Sequence, residues 1–336
     1  MSIKNNQFNK VLTISIAAYN VGKYINKALD SLIDDEILDK IEVIVVDDGS
    51  TDDTLSLIKE YELKYPDTFN IVSKENAGYG STVNYSVKNS SGKYFKLLDG
   101  DDWYDTDGLK SLIFELEQTD VDIVFNLFNK IINGKIISGI GFDNKYFCRE
   151  LGIEELDINE GIPMHSVTYK TSILKESGLT LKEKRLYTDN YYVSIPLTRV
   201  NMVKFLNFPV YNYRLGLSGQ TMNRAVNIKH INDLKEISLD LIDYFSKIDT
   251  SCKSYNYLCT RIAATCTDYF AALLTLPISK ESLVQIKEFD YKVKQKSKTL
   301  YDRMAKLDRK AARTLRIVRK YNYNLYWFFA LLRRLI

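Results

Sequence analysis

At 336 residues the chain is longer than a typical single domain, and its 45% hydrophobic content is ample for a packed core. A net charge of +3 gives no electrostatic case for nucleic-acid binding, and no apolar run is long enough to span a membrane. Met1 to Lys10 is polar with no apolar signal-peptide core behind it. Cys252, Cys259 and Cys266 lie too far apart to share a zinc and read, with Cys148, as thiols of a reducing compartment. A cytoplasmic protein is the expectation.

Val11 to Ala17 is rich in β-branched residues and predicts a buried strand, followed by a helix from about Lys23 to Ile33 capped by Asn20. Ile41 to Val46 predicts a strand covered on both faces, ending in Asp47-Asp48-Gly49-Ser50-Thr51-Asp52. Ser50 and Asp53 have capping-box spacing for the helix carrying Leu55, Ile58 and Tyr61. Phe69 to Ser73 is a third strand, and Asn76-Ala-Gly78-Tyr-Gly80 turns into a short helix. Tyr94 to Leu98 is the fourth, ending in Asp99-Gly100-Asp101-Asp102-Trp103. A helix through Leu109 and Leu116, then a strand over Val121 to Phe128, come next. This alternation predicts an α/β domain with a mostly parallel sheet, whose ligands sit beyond the carboxyl ends of the strands. Four polar turns fall at such ends.

The turn at Asp99 to Asp102 crowds three carboxylates around one glycine. Such crowding is unfavourable without a cation, and oxygen ligands suit Mg2+ or Mn2+ carrying a ligand's phosphates; an ordinary acidic turn is the other reading. Gly78 and Gly80 lack the third glycine of a dinucleotide fingerprint, and there is no P-loop, which disfavours a nicotinamide enzyme or an ATPase.

Taken together, Thr13 to Asn20, Val45 to Asp52, Asn76 to Gly80, Gly92 to Trp103 and Tyr187-Thr188-Asp189 resemble glycosyltransferase family 2 in order and content over about 190 residues. The resemblance implies the nucleotide-diphospho-sugar fold called GT-A, a mixed, mostly parallel sheet flanked by helices, and an inverting transfer from a UDP-sugar. It implies that Ala18, Tyr19 and Asn20 line the donor pocket, that Asp48 accepts from uracil or ribose, and that Asn76, Gly78 and Gly100 border the donor. Asp101 takes the place of the direct metal ligand, Asp99 sits nearer the ribose, and Asp189 occupies the position of the catalytic base. An N-cap role for Asp189 stays open. Ala18 stands where many relatives have proline, and Thr188 where the residue before the base is usually acidic. Gln220 to Arg224 only half echoes a processive motif, so addition of one sugar is expected.

His165, on the loop before a strand at Val167 to Lys170, reads either as structural or as an acceptor contact. Strands at Val203 to Leu206 and Val210 to Tyr213 lead into a loop where Arg214 and Gln220 either clamp a diphosphate or face solvent. A catalytic domain at 1–226 and a helical region at 227–336 follow from the change in pattern, with helices over Ile231 to Phe245, Tyr257 to Leu276 and Leu283 to Ala305. This appendage reads as a packing or dimerisation module, so a homo-oligomer is open. From Arg309 to Ile336 there is no acidic residue, and Leu325 to Leu332 is aromatic and apolar. A basic amphipathic end of this kind suits an anionic membrane surface, hence peripheral attachment at the inner face, and a lipid-linked saccharide acceptor of bacterial surface polysaccharide. The alternatives are a tail packed on the protein, a non-catalytic subunit of the same fold, and a nucleotidyltransferase, which would need a Gly- and Arg-rich phosphate loop that Ala17 to Gly22 does not supply.

Overall fold

A computed structural model describes residues 9–138, 141–217 and 224–335. It divides into two compact units. Met1–Gly152, Pro163–Arg185 and Arg199–Gly216 form the first; Ile153–Ile162, Leu186–Thr198 and Leu217–Ile336 form the second.

The first unit is built on one sheet. Its strands are β1 (Leu12–Ala18), β2 (Ile41–Asp47), β3 (Phe69–Ser73), β4 (Tyr94–Asp99), β5 (Trp103–Tyr104), β6 (Ile123–Ile132), β7 (Lys135–Ser138), β8 (Glu150–Gly152), β9 (Val167–Lys170) and β10 (Met202–Leu215). They lie in the order β3-β2-β1-β4-β9-β6-β10-β5, with β7 on β6 and β8 on β10. The run β3-β2-β1-β4 is parallel, β9 is antiparallel to both its neighbours, and β10 is parallel to β6. Helices α1 (Ile25–Asp30), α2 (Thr54–Lys64), α3 (Tyr79–Asn89), α4 (Thr106–Gln118) and α5 (Thr171–Glu176) accompany the sheet. Leu12, Ile14, Ile16, Ile41, Val43 and Val45 are fully buried, because a central parallel strand is covered on both faces and has no solvent side for polar residues.

Since β3, β2, β1 and β4 run parallel and adjacent, their carboxyl ends lie along one edge. The turns after them, which hold Tyr19-Asn20, Asp47-Asp48, Asn76 to Gly80 and Asp99 to Asp102, share that rim.

The second unit contains α6 (Asp189–Tyr192), α7 (Arg224–Lys229), α8 (Ile231–Phe245), α9 (Tyr255–Leu273), α10 (Lys280–Lys296), α11 (Lys298–Lys306), α12 (Lys310–Lys320) and α13 (Tyr326–Leu335). Helix α9 is its axis, buried on almost every face from Tyr257 to Leu273, and Cys259 and Cys266 are buried within it.

Several local expectations change. The strands expected at Val203 to Leu206 and Val210 to Tyr213 are one strand, β10, which absorbs Pro209 through register shifts on either side of it. The helix expected over Leu283 to Ala305 is two, divided at Ser297, whose hydroxyl accepts from the Leu300 N–H at 3.2 Å and caps the second. Asn20 does not cap α1, which starts at Ile25 without a side-chain cap. The Ser50–Asp53 capping box does not form either: Asp52 Oδ1 accepts from the Thr54 N–H at 3.1 Å instead.

Candidate active site

On the rim, side chains bind the turns to one another. Asn20 takes φ +52°, a left-handed conformation that asparagine tolerates, and its Oδ1 accepts from the Thr51 N–H at 2.8 Å. Its own N–H donates to Ser50 Oγ at 3.0 Å. The turns after β1 and β2 are therefore one structure. Tyr19 beside it is 50% exposed, an aromatic face open at the sheet edge, while Ala18 is buried in the last position of β1.

Asp48 is buried, and its carboxylate organises the loop after β3. It accepts from the Ala77 N–H at 3.0 Å, from the Gly78 N–H at 2.7 Å and from the Lys74 ammonium. Gly78 has φ +86°, and a Cβ there would lie 2.9 Å from the Lys184 nitrogen, so the loop passes a neighbouring segment where only glycine fits. Asn76 lies in the same loop, against Gly49 of the turn after β2.

The acidic turn after β4 is tied down by β10. Tyr211 Oη donates to Asp102 Oδ2 at 2.7 Å and accepts from the Asp99 N–H at 3.2 Å. The Arg214 N–H donates to Asp102 Oδ1 at 2.7 Å, and Arg214 Nε donates to the Asp101 carbonyl at 2.8 Å. Arg214 also lies over the rings of Tyr24 and Trp103, and Lys27 Nζ sits 3.4 Å from the Trp103 ring centre on helix α1. Burial, then the charges of Asp99 and Asp101, push the Asp102 carboxyl well above its ordinary range. The same negative site, after burial, raises the Tyr211 phenol.

His165 joins this group. One ligand atom from each of Asp99, Asp102 and His165 falls within 4.8 Å of the others. The His165 ring packs on Phe128, Tyr211 and Tyr213, with ring centres 5.1, 4.7 and 4.3 Å away. Part of the residue reaches solvent, but Nδ1 is shut away without a hydrogen-bond partner. Burial, aided by Lys96 and Lys130, lowers this imidazole to about 3, so it is neutral. Beneath it, the buried Lys96 of β4 donates to Asn126 Oδ1 at 2.9 Å and to the carbonyls of His165 and Val167 at 3.0 and 3.3 Å.

The donor set fits a divalent cation. Three carboxylates share one turn, two of them act electrostatically on the third, and an imidazole nitrogen without a hydrogen-bond partner lies beside them. Asp102 accepts at each oxygen from a protein donor and so fixes the turn; Asp99, grouped with Asp102 and His165, and Asp101 in the same turn are residues that could hold the ion. Gly100 lies between those two; a Cβ there would meet the Ala17 carbonyl oxygen at 2.9 Å.

Asp189 belongs to the second unit. It opens α6 without a side-chain cap from Thr188, and it follows Tyr187, whose φ of +63° is strained for a bulky residue. Burial raises the Asp189 carboxyl, against the pull of Arg261. Gln220 lies outside the described residues.

The structure thus unites Asp99, Asp102 and His165, joins Arg214 to Asp101, and joins Asp48 to the Asn76–Gly78 loop. Asp102, Tyr211, Trp103 and Lys27 were not among the residues singled out as site residues. Asp102 was visible as the third carboxylate of its turn; Tyr211 carried no local signal.

The chain is similar to known proteins. A sequence family described as Glycosyl transferase family 2 matches residues 13–139. An uncharacterized glycosyltransferase of Rickettsia typhi is 30% identical over 240 residues, 67% of this chain and 70% of that protein. The minor teichoic acid biosynthesis protein GgaB of Bacillus subtilis is 32% identical over 120 residues, 35% of this chain and 13% of that one. The crystal structure of S. aureus TarS 1–349 with UDP-GlcNAc matches with a TM-score of 0.70 at 19% identity, across 96% of this chain and 91% of that one. That likeness shows the fold to be GT-A with a C-terminal helical region. With a relative this similar over most of its length and the family's motifs on one rim, the chain belongs to glycosyltransferase family 2.

Proposed function

We propose that this chain is a metal-dependent, inverting glycosyltransferase. It moves one sugar from a UDP-sugar to a hydroxyl of a saccharide acceptor carried on lipid, during bacterial cell-surface polysaccharide synthesis. The observation that carries this reading is the acidic turn after β4, three carboxylates bound into one piece by Tyr211 and Arg214 at the sheet's rim. TarS was crystallised with UDP-GlcNAc, which supports a nucleotide-sugar donor, and GgaB is named for minor teichoic acid biosynthesis, which supports a surface polymer.

In this reading Tyr19 and Asp48 hold the nucleoside, Asp48 exchanging its Lys74 contact for the base, while Asn20, Asn76, Gly78 and Gly100 shape the pocket around it. Asp99 and Asp101 would hold Mn2+ or Mg2+, which would supply the positive charge that a leaving diphosphate needs. Arg214, already at the acidic turn from the end of β10, meets the phosphates together with Gln220. His165, neutral, contacts the acceptor. Asp189 takes the proton from the acceptor hydroxyl, and the acceptor oxygen bonds to the anomeric carbon opposite the departing UDP, which leaves with the electron pair of the broken C–O bond. Release of UDP from a panel of UDP- and GDP-sugars tests this, with and without a chelator. A UDP-sugar is expected to be consumed only with divalent ion, with Asp101→Asn reducing turnover about a hundredfold or more. Asp189→Asn should abolish transfer and still bind donor. Metal-independent release, or near-normal transfer by Asp189→Asn, overturns the assignment.

We propose also that helices α12 and α13 attach the protein to the inner face of the membrane. Helix α12 buries Ala312, Leu315 and Val318 and leaves Lys310, Arg313, Arg316 and Lys320 outside. Helix α13 exposes Trp327, Phe328, Leu331 and Leu332, with Trp327 42% and Phe328 57% exposed. Aromatic and cationic groups together suit an anionic leaflet. Vesicles containing phosphatidylglycerol should carry the protein upward in a flotation gradient. Replacing those four residues by serine should leave it at the bottom; flotation unchanged by the replacement rejects the tail as the anchor.

A further inference from the structure

Helix α9 of the second unit buries a cation. Arg261 is only 6% exposed, and its Nη1 lies so close to the Gly161 backbone that a Cβ on Gly161 would be 2.1 Å from it. Burying a guanidinium is costly unless hydrogen bonds and opposite charge answer it. Nη2 donates to Asn190 Oδ1 at 2.7 Å, whereas Nε is buried with no hydrogen-bond partner among the described residues.

Asn190 connects that cation to the start of α6. Its Oδ1 also accepts from Thr265 Oγ1 at 2.8 Å. Its Nδ2 and its main-chain N–H both donate to the Tyr187 carbonyl, at 2.8 and 3.1 Å. Tyr187 is the residue held at φ +63°, two before Asp189, and its Oη donates to Asn227 Oδ1 at 2.7 Å. One amide therefore links Arg261 to the strained residue two positions before Asp189. The two are also coupled by charge, since the guanidinium counters the effect of burial on the carboxyl. Asp268 acts on both, Arg309 and Tyr257 act on Arg261, and Tyr187 faces Asp189.

We propose that Arg261 is a positioning residue for sugar transfer: through Asn190 it fixes the turn that carries Asp189, and it sets its positive charge against that carboxylate. The proposal rests on the reading of Asp189 as the base. Gly161 has its part here, because any side chain would push the guanidinium out of place. Loss of a conformational strap alone would lower kcat and leave the pH profile in place; loss of an electrostatic partner would also move the profile.

The test is the pH profile of kcat/KM for transfer, measured on the full chain with the donor identified by UDP release. Arg261→Met is expected to lower kcat about tenfold or more with donor KM nearly unchanged. Its acidic limb should move upward by about one pH unit, as a lost cationic neighbour requires. Arg261→Lys keeps the charge without the forked hydrogen bond, so it should lower kcat while leaving the limb at its parental position. Gly161→Ala should reproduce the loss of kcat. A limb in Arg261→Met that coincides with the parental one overturns the proposal. If Arg261→Met melts below the assay temperature, a shifted limb in Arg261→Lys does the same. Asp189→Asn separates the two levels of the argument. Normal transfer by that variant removes the base itself, whereas an inactive Asp189→Asn beside an unmoved Arg261→Met limb removes only the role of Arg261.

Discussion

Lys96 offers a measurement of how tightly the first unit holds its site. The ammonium lies in the middle of β4, fully buried, three residues before Asp99. Burial lowers it from 10.5 to about 7. A lowered base binds fewer protons folded than unfolded, so stability rises with pH across the window from about 7 to 10.5. Below the window the protonated lysine costs about 5 kcal/mol relative to a group with no shift, at about 1.36 kcal/mol per pH unit. Between pH 7 and pH 9 about 2 kcal/mol of that cost is relieved. Lys96→Met removes the titration while nearly preserving volume. It also strips the donor from Asn126, His165 and Val167, so absolute stability is the wrong quantity to compare. The slope is the right one. The chain has two tryptophans, so a Trp327→Phe background makes Trp103 the reporter, sited at the acidic turn. Urea unfolding followed by its fluorescence at pH 7, 8 and 9 should show the parental free energy rising by about 2 kcal/mol more than that of Lys96→Met. Parallel slopes for the two proteins would refute the reasoning.

Two further perturbations probe the loops and the helical unit. Gly78→Ala places a side chain at φ +86° against the Lys184 backbone, and should cost about 1–3 kcal/mol in the same unfolding assay. A donor-binding titration should weaken in step, since the Asp48 contacts to Ala77 and Gly78 depend on that turn; unaltered stability would show the loop yields freely. In the second unit Arg319 meets Asp290 with side-chain exposures of 10% and 4%, and it also donates to the Tyr301 carbonyl at 2.7 Å. Arg319→Met strands a buried carboxylate and should destabilise by about 3–5 kcal/mol. The double replacement with Asp290→Leu should recover much of the loss in a thermal melt, and equal melting of single and double variants would deny that the pair is coupled.

The parts legible in the sequence are those whose cause is local. β-branched runs announced β1, β2 and β3, and the same polar residues that end them mark the rim, because a parallel sheet delivers its strand ends to one edge. Where a local rule misled, a distant contact had replaced it. Two strands were expected at Val203 to Leu206 and Val210 to Tyr213, but pairing with β6 carries β10 across Pro209 through two register shifts. Asn20 looked like a helix cap, but its carbonyl oxygen is taken by the turn after β2, 31 residues on. Distant partners were silent for the same reason. Tyr211 grips Asp102 from 109 positions away, and Arg261 reaches Asn190 across 71. Neither spacing is a motif; each exists only once the sheet or the helical unit has formed.

That difference bears on what can be changed in the protein. A carboxylate of the acidic turn is recognisable by type, and its replacement is expected to touch chemistry first. Tyr211 serves fold and site together: its hydroxyl binds Asp99 and Asp102 while its ring packs on Tyr104 and His165. Tyr211→Phe keeps the packing and removes only the hydroxyl, leaving Asp102 Oδ2 without that donor. If the turn's geometry is what suits it to a diphosphate, the variant should stay folded and bind a UDP-sugar more weakly, with the metal concentration needed for half-maximal turnover raised several-fold. Equal metal and donor requirements in Tyr211→Phe and the parent would mean that the turn holds its shape by itself, and that β10 merely lies against it.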